Sequence, residues 1–212
     1  MASAQTLTLS EAGYVLGRSP STLNKAVDSG VIRAKQRRVG KSVQRLLGPS
    51  ELRYLRLADE LDKDLTPAGR RRLYEALRKL SSETHILRLG QIEIDLARID
   101  SDLEGRLTRL RRLRDWIGQS DAVSDPLIRG TDIPVHLVAA LAREQTVGEI
   151  LADFPSLNRD QVEAAVDYAK AYPKRGRPYA SHSLKRTLAD LADLGAFDEG
   201  DEAHLVSPRT VP

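Results

Sequence analysis

Leu9-Ser-Glu-Ala-Gly-Tyr-Val-Leu-Gly-Arg-Ser-Pro-Ser-Thr-Leu-Asn-Lys-Ala-Val-Asp-Ser-Gly-Val-Ile32 is the stretch on which the fold turns. It divides at Gly17 into two short helical segments. Ser10 is placed to cap a first helix through about Leu16, where Gly17 supplies a positive-φ stop. Ser19 caps a second helix with Pro20 at its first position; Leu23, Ala26 and Val27 form its apolar face and Gly30 ends it. The pattern reads helix, turn, helix. Beyond it, Val31 to Leu47 is rich in Val, Arg and Lys and broken by Gly40, which predicts a two-stranded ribbon with a basic tip, a wing.

Charge is sorted along the 212 residues more sharply than the net +3 suggests. Residues 1–80 carry 16 Lys/Arg against 8 Asp/Glu, while 121–172 carry 4 against 9. A basic segment attracts phosphates and an acidic one is repelled by them, so nucleic-acid binding is expected in the first third and protein contacts in the third block. The chain has no cysteine, which excludes disulfides, thiolate metal sites and cysteine nucleophiles. The histidines His85, His136, His182 and His204 form no ligand-spaced pair, so neither a metal nor a cofactor is expected. A Gly-rich phosphate loop and a Ser/His/Asp spacing are both missing, which argues against an enzyme. No apolar run nears the roughly 18 residues of a membrane span, and the N-terminus lacks a secretory pattern, so a cytoplasmic protein is expected.

The remaining chain is expected to be mainly α with short β hairpins. Helices are predicted from about Ser50 to Leu61 and from Thr66-Pro67 to Leu80, the second with a Leu73/Leu77/Leu80 stripe and with Arg70, Arg71 and Arg72 on a first turn where the helix dipole disfavours cations. Leu87, Leu89, Ile92 and Ile94 around Gly90-Gln91 predict a hairpin. A helix from about Ala97 to Ile117 follows, with Leu103, Leu110 and Ile117 every seven residues, either to pair two subunits or to pack inside one chain. The third block, opened by Asp125-Pro-Leu-Ile-Arg-Gly-Thr-Asp-Ile-Pro134, continues as three short helices. The last two carry capping-box spacing at Thr146/Glu149 and Asn158/Gln161. Pro173-Lys-Arg-Gly-Arg-Pro178 reads as an extended linker and Ser183 to Leu194 as an amphipathic helix. The expected division is 1–80, a DNA-binding unit; 81–120, hairpin and connector helix; 121–172, a small three-helix domain; and 173–212, a tail.

Leu9 to Ile32 resembles the MerR or excisionase type of winged helix-turn-helix. Asp125 to Pro134, followed by Ile150-Leu-Ala-Asp-Phe-Pro-Ser-Leu157 and an amphipathic helix, resembles the family called domain of unknown function 433, associated with VapB-type antitoxins. Together the two resemblances cover roughly residues 7 to 172. They imply an antitoxin that binds its own operator DNA, represses its own transcription and neutralises a PIN-like ribonuclease toxin encoded by an adjacent gene.

On that reading the second helix enters the major groove and presents Ser19, Ser21, Thr22 and Lys25, opposite its apolar face, although helix capping also accounts for Ser21 and Thr22. The ribbon brings Arg37, Arg38, Lys41 and Arg45 to the DNA backbone. A two-fold pair of recognition helices about 34 Å apart implies a homodimer, with 125–172 as first candidate interface and Leu103 to Ile117 as second. Arg129 and Asp132 are expected either to pair across Gly130-Thr131 or to serve an interface, beside the plainer reading of a buried turn. A PIN-like nuclease carries a carboxylate cluster, so Arg175 and Arg177 are candidate inhibitory cations. Leu184, Leu188 and Leu191, with Phe197, are then a candidate face for a groove on the toxin, or else fold back on their own chain. The alternative is a transcription regulator or architectural DNA-binding factor with no toxin partner, distinguished by its neighbouring gene.

Overall fold

A computed structural model describes residues 6–61, 65–81, 83–118, 125–174, 176–181 and 188. The described chain is mostly helical with short antiparallel strand pairs. It opens with β1 (Leu7–Thr8), α1 (Leu9–Leu16) and α2 (Pro20–Asp28), followed by β2 (Lys35–Val39) and β3 (Ser42–Leu47). Thr8, not Ser10, caps α1. Its hydroxyl accepts the Glu11 N–H while the Glu11 carboxylate accepts the Thr8 N–H at 2.8 Å, a capping box that starts the helix ahead of the serine. β1 has a second task that the sequence pattern does not announce. It pairs antiparallel with β3, Leu7 opposite Leu47, so the ribbon becomes the outer part of a three-stranded sheet in the order β1-β3-β2.

The turn between α1 and α2 follows the expected chemistry. Gly17 sits at φ 67° and Ser19 caps α2 by accepting the Thr22 N–H. Gly13 makes the close crossing possible, because a Cβ there would lie 2.6 Å from the Arg18 carbonyl oxygen. α3 (Pro49–Leu61) and α4 (Pro67–Lys79) pack together through Leu52, Leu55, Leu73 and Leu77, and the β4 (Ile86–Leu89) and β5 (Ile92–Asp95) hairpin lies against α4.

α5 (Ala97–Leu113) is shorter than its leucine spacing predicts. After one 3-10 turn at Arg114–Trp116 the chain straightens into β6 (Ile117–Gly118), which pairs with β7 (Leu127–Ile128). Strand pairing satisfies the backbone of Ile117 and removes it from the helical seam. Leu103 and Leu110 are 5% and 3% exposed within the chain's own core, so packing inside one chain uses the stripe that was also a candidate for pairing subunits.

α6 (Val135–Leu141), α7 (Val147–Asp153) and α8 (Arg159–Ala171) complete the fold, and both expected capping boxes are formed. The described apolar residues form two cores that meet at α8. Its Val162 and Ala165 belong to the core built with α6 and α7, its Ala164 and Ala171 belong to the larger core with α1, α3 and α5, and Tyr168 touches both. α8 therefore joins the acidic block to α1, and the Tyr14 hydroxyl donates to Asp167 at 3.1 Å across that junction. Burial, with the Asp167 carboxylate adding to it, pushes the Tyr14 phenol up to about 12, so it stays a neutral donor at physiological pH.

Candidate nucleic-acid interface and C-terminal strap

α2 buries Leu23 completely and leaves Ser19, Ser21, Thr22 and Lys25 exposed on the other side. The hydroxyls are not equivalent. Ser19 Oγ accepts the Thr22 N–H at 3.1 Å and lies 2.8 Å from both Ser21 Oγ and Thr22 Oγ1, so Ser19 is held by the cap. Lys25, one turn further on, extends from the same exposed side.

Register sorts the ribbon's cations onto two faces. Gln36 faces Arg45 and Arg38 faces Val43, while Arg37 faces Gln44 and donates to its side chain at 3.2 Å. Because side chains alternate along a strand, Arg38 and Arg45 share one face and Arg37 lies on the other, with Lys41 at the turn. Arg37, Arg38 and Lys41 are exposed. Arg45 is engaged: it donates to Asp28 at 2.6 Å and to Asn24 at 2.7 Å, both on α2. It thus braces the ribbon against α2, on the face that also carries Arg38. Asn24 and Asp28 stand at i and i+4 on the helix, yet nothing in their spacing tells which distant cation they meet.

A second brace lies at the root of the ribbon. The Tyr74 hydroxyl accepts the Arg33 N–H at 2.8 Å and donates to Glu51 at 2.8 Å, tying the ribbon's entry to α3 and α4. Burial raises this phenol to about 12. Of the three consecutive arginines on α4, Arg71 and Arg72 are exposed, while Arg70 donates to the Leu65 carbonyl at 3.2 Å on its own first turn.

The run from Asp125 folds as a tight turn. Gly130 adopts φ 80°, and the Thr131 hydroxyl donates to the Ile128 carbonyl at 2.9 Å while accepting the Ile133 N–H. No Arg129–Asp132 ion pair is formed among the described residues; the segment is an anchored turn but not a buried one, since Arg129, Gly130 and Asp132 are exposed. Asp125 has a role that the sequence reading missed. It is 6% exposed and accepts hydrogen bonds at 2.6 Å from Lys174 Nζ and 2.6 Å from the Tyr179 hydroxyl. The Lys174 ammonium also lies 4.7 Å from the centre of the Tyr179 ring, and Ser181 meets Glu144 at 2.5 Å. The segment expected to be an extended linker is a strap, fastened at Asp125 and again at Glu144. Burial pushes the Asp125 carboxyl up, but the bonds from Lys174 and Tyr179 outweigh it and hold the group below the usual carboxylate range.

Arg177 is exposed on this strap and Leu188 beyond it is 47% exposed, whereas Arg175, Leu184, Leu191 and Phe197 lie outside the described residues. Behind the strap, His136 is 8% exposed and its ring packs 6.1 Å from that of Tyr168; burial holds its pKa below the ordinary histidine value. The described residues contain no group of three His, Asp or Glu suited to a metal, and no described helix is long and apolar enough to cross a membrane.

No solved structure matches the chain. An uncharacterized protein of Sinorhizobium fredii (strain NBRC 101917 / NGR234), y4eO, is 35% identical over 105 residues, which is 48% of this chain. The match covers 44% of that protein's length. Residues 123–169, from just before the strapped Asp125 to near the end of α8, match the family described as "Protein of unknown function (DUF433)".

Proposed function

We propose that this protein is a cytoplasmic antitoxin that binds operator DNA through α2 and the β2–β3 ribbon, as a winged helix-turn-helix, and neutralises a PIN-like ribonuclease encoded beside it. The observation that carries the DNA-binding part is a pair of exposed cations, Lys25 on α2 and Arg38 on the ribbon, in two elements braced together by Arg45 on Asp28 and Asn24. A helix of this width enters the major groove, and a basic ribbon beside it reaches the flanking backbone. A homodimer presents two such surfaces to successive grooves. The toxin-binding part follows from the resemblance of the acidic block to antitoxin-associated domains and places the inhibitory contact in Arg175, Arg177 and the leucine-bearing tail.

Two experiments test the two parts. A gel shift with the intact protein and its own promoter duplex is expected to show salt-sensitive retention; none even in dilute buffer removes the DNA-binding part. Co-expression with the adjacent gene product is expected to yield a complex without ribonuclease activity. A chain stopped before Pro173 is expected to lose that inhibition, and full neutralisation by the shortened chain overturns the placement of the contact.

A further inference from the structure

α1, α6 and α8 line an open groove of about 820 Å³ with the strap along one side. That volume lies within the range of small-molecule clefts, roughly 300–1,000 Å³. On α6 and the turn after it, His136, Ala139, Ala140 and Arg143 recur at i, i+3, i+4 and i+7. One helical face therefore carries two alanines between an imidazole and a guanidinium, about 10 Å apart along the helix rise. Gly13 of α1 and Ala169 of α8 line the same space and leave it wide, while Pro20, Val166 and Pro178 add apolar wall.

Small residues that served only to let helices approach would leave no polar group to explain. Here two remain. His136 is 8% exposed, yet its ring makes no hydrogen bond to a described residue, and a buried polar group costs free energy until something pairs with it. Burial holds this imidazole below its ordinary pKa, so at neutral pH it is uncharged, with one N–H donor and one acceptor nitrogen. The second group is a cation. Arg18, Lys170 and Lys174 also line the groove, but they are neutralised by Asp59, Asp167 and Asp125; Arg143 has no carboxylate partner among the described residues. One uncompensated charge suits a monoanion and is too little for a polyphosphate.

We infer that the groove between α1, α6 and α8 binds a small aromatic monocarboxylate, its rings on Gly13, Ala139 and Ala169, its carboxylate on Arg143, and a hydroxyl or N–H at its other end on His136. Gly17 and Pro20 border the groove, so on the DNA-binding reading above an occupant touches the turn that leads into the recognition helix.

Calorimetric titration of the full chain at neutral pH tests this with two acids, indoleacetate and the naphthoate that carries a hydroxyl at the end opposite its carboxylate. Each is expected to fill one saturable site per chain. Naphthol, which keeps the rings and the hydroxyl and lacks the carboxylate, is expected to bind about tenfold more weakly, the worth of one charge-assisted contact. Arg143→Gln is expected to weaken both acids about tenfold and to leave naphthol unchanged, a split that a loss of folding would not produce. Ala139→Phe, which fills the groove, is expected to abolish binding of acids and naphthol alike; Ala169→Phe replaces it should it fail to fold. Absence of saturable binding by either acid overturns the inference. So does binding that survives both Arg143→Gln and the phenylalanine variant, or naphthol binding as tightly as its acid. No DNA is present in the assay, so its failure and a failure of the DNA-binding reading are separate results.

Discussion

Lys25 and Arg38 have no carboxylate partner among the described residues, whereas Arg45 is bonded to Asp28 and Asn24, and the difference predicts different phenotypes. Lys25→Ala and Arg38→Ala are expected to weaken operator binding and each to lower the slope of log affinity against log salt by about one, the signature of a lost phosphate contact. Arg45→Ala is expected to weaken binding with little change of slope, because it removes a brace and no phosphate contact. Binding titrations over a salt series separate the two, and an unchanged slope for both Lys25→Ala and Arg38→Ala removes the assignment. His136 makes a prediction of another kind. Its folded pKa lies below the unfolded value because burial disfavours the imidazolium, with Asp125 working against that and Lys174 for it. A depressed folded pKa stabilises the fold above the unfolded value, near 6.5, and that contribution is lost as pH falls through the folded one. Urea midpoints should therefore drop between about pH 7.5 and about pH 5.5, and the drop should shrink in His136→Gln; an equal drop in the variant contradicts this.

At the scale of elements, the crossing of α1 and α2 rests on a glycine inside a helix and not only on the glycine that ends it. Gly13→Ala places a methyl group against the Arg18 carbonyl, a backbone atom that moves only if the turn moves. The expected result is a loss of about 1–3 kcal/mol in chemical denaturation, with weaker duplex binding because Ser19 and α2 are displaced together. A variant with unchanged stability and binding would show that the turn yields freely. The β4–β5 hairpin and the helices α3, α4, α7 and α8 follow their local signals closely, since Thr66-Pro67, Thr146/Glu149, Asn158/Gln161 and Gly90-Gln91 act through neighbours two to four residues away. α5 does not. Its leucine period continues to Ile117, but the pairing of Ile117 with Ile128 ends the helix four residues earlier.

For the whole molecule, α8 is the element that makes the acidic block and the basic block one body. Tyr168 packs against both cores and meets Tyr172 at a tilt, ring centres 4.7 Å apart. The intact chain is expected to unfold in one calorimetric transition. Tyr168→Ala is expected to cost about 3 kcal/mol and to split that transition, because the two cores then share only their smaller contacts. A single transition in the variant would place the coupling elsewhere, at Tyr14 and Asp167 or at Arg114, which donates to Tyr172 at 3.2 Å and to Glu11 at 3.4 Å.

Glycine stops, proline starts, capping pairs and the alternation of the hairpins are short-range chemistry. The helix–turn–helix order, the basic ribbon, the β4–β5 hairpin and the three closing helices were therefore legible residue by residue, as was the exposure of Lys25 and Arg38. Long-range partners were not. That Arg45 turns inward to Asp28, that Asp125 captures Lys174 and Tyr179 and so converts a linker into a strap, and that α8 serves two cores all depend on side chains brought together from positions 17 to 54 residues apart, or further. Such meetings are decided by how buried faces pack and by the need of each desolvated charge for a partner, and neither quantity exists until the chain has folded.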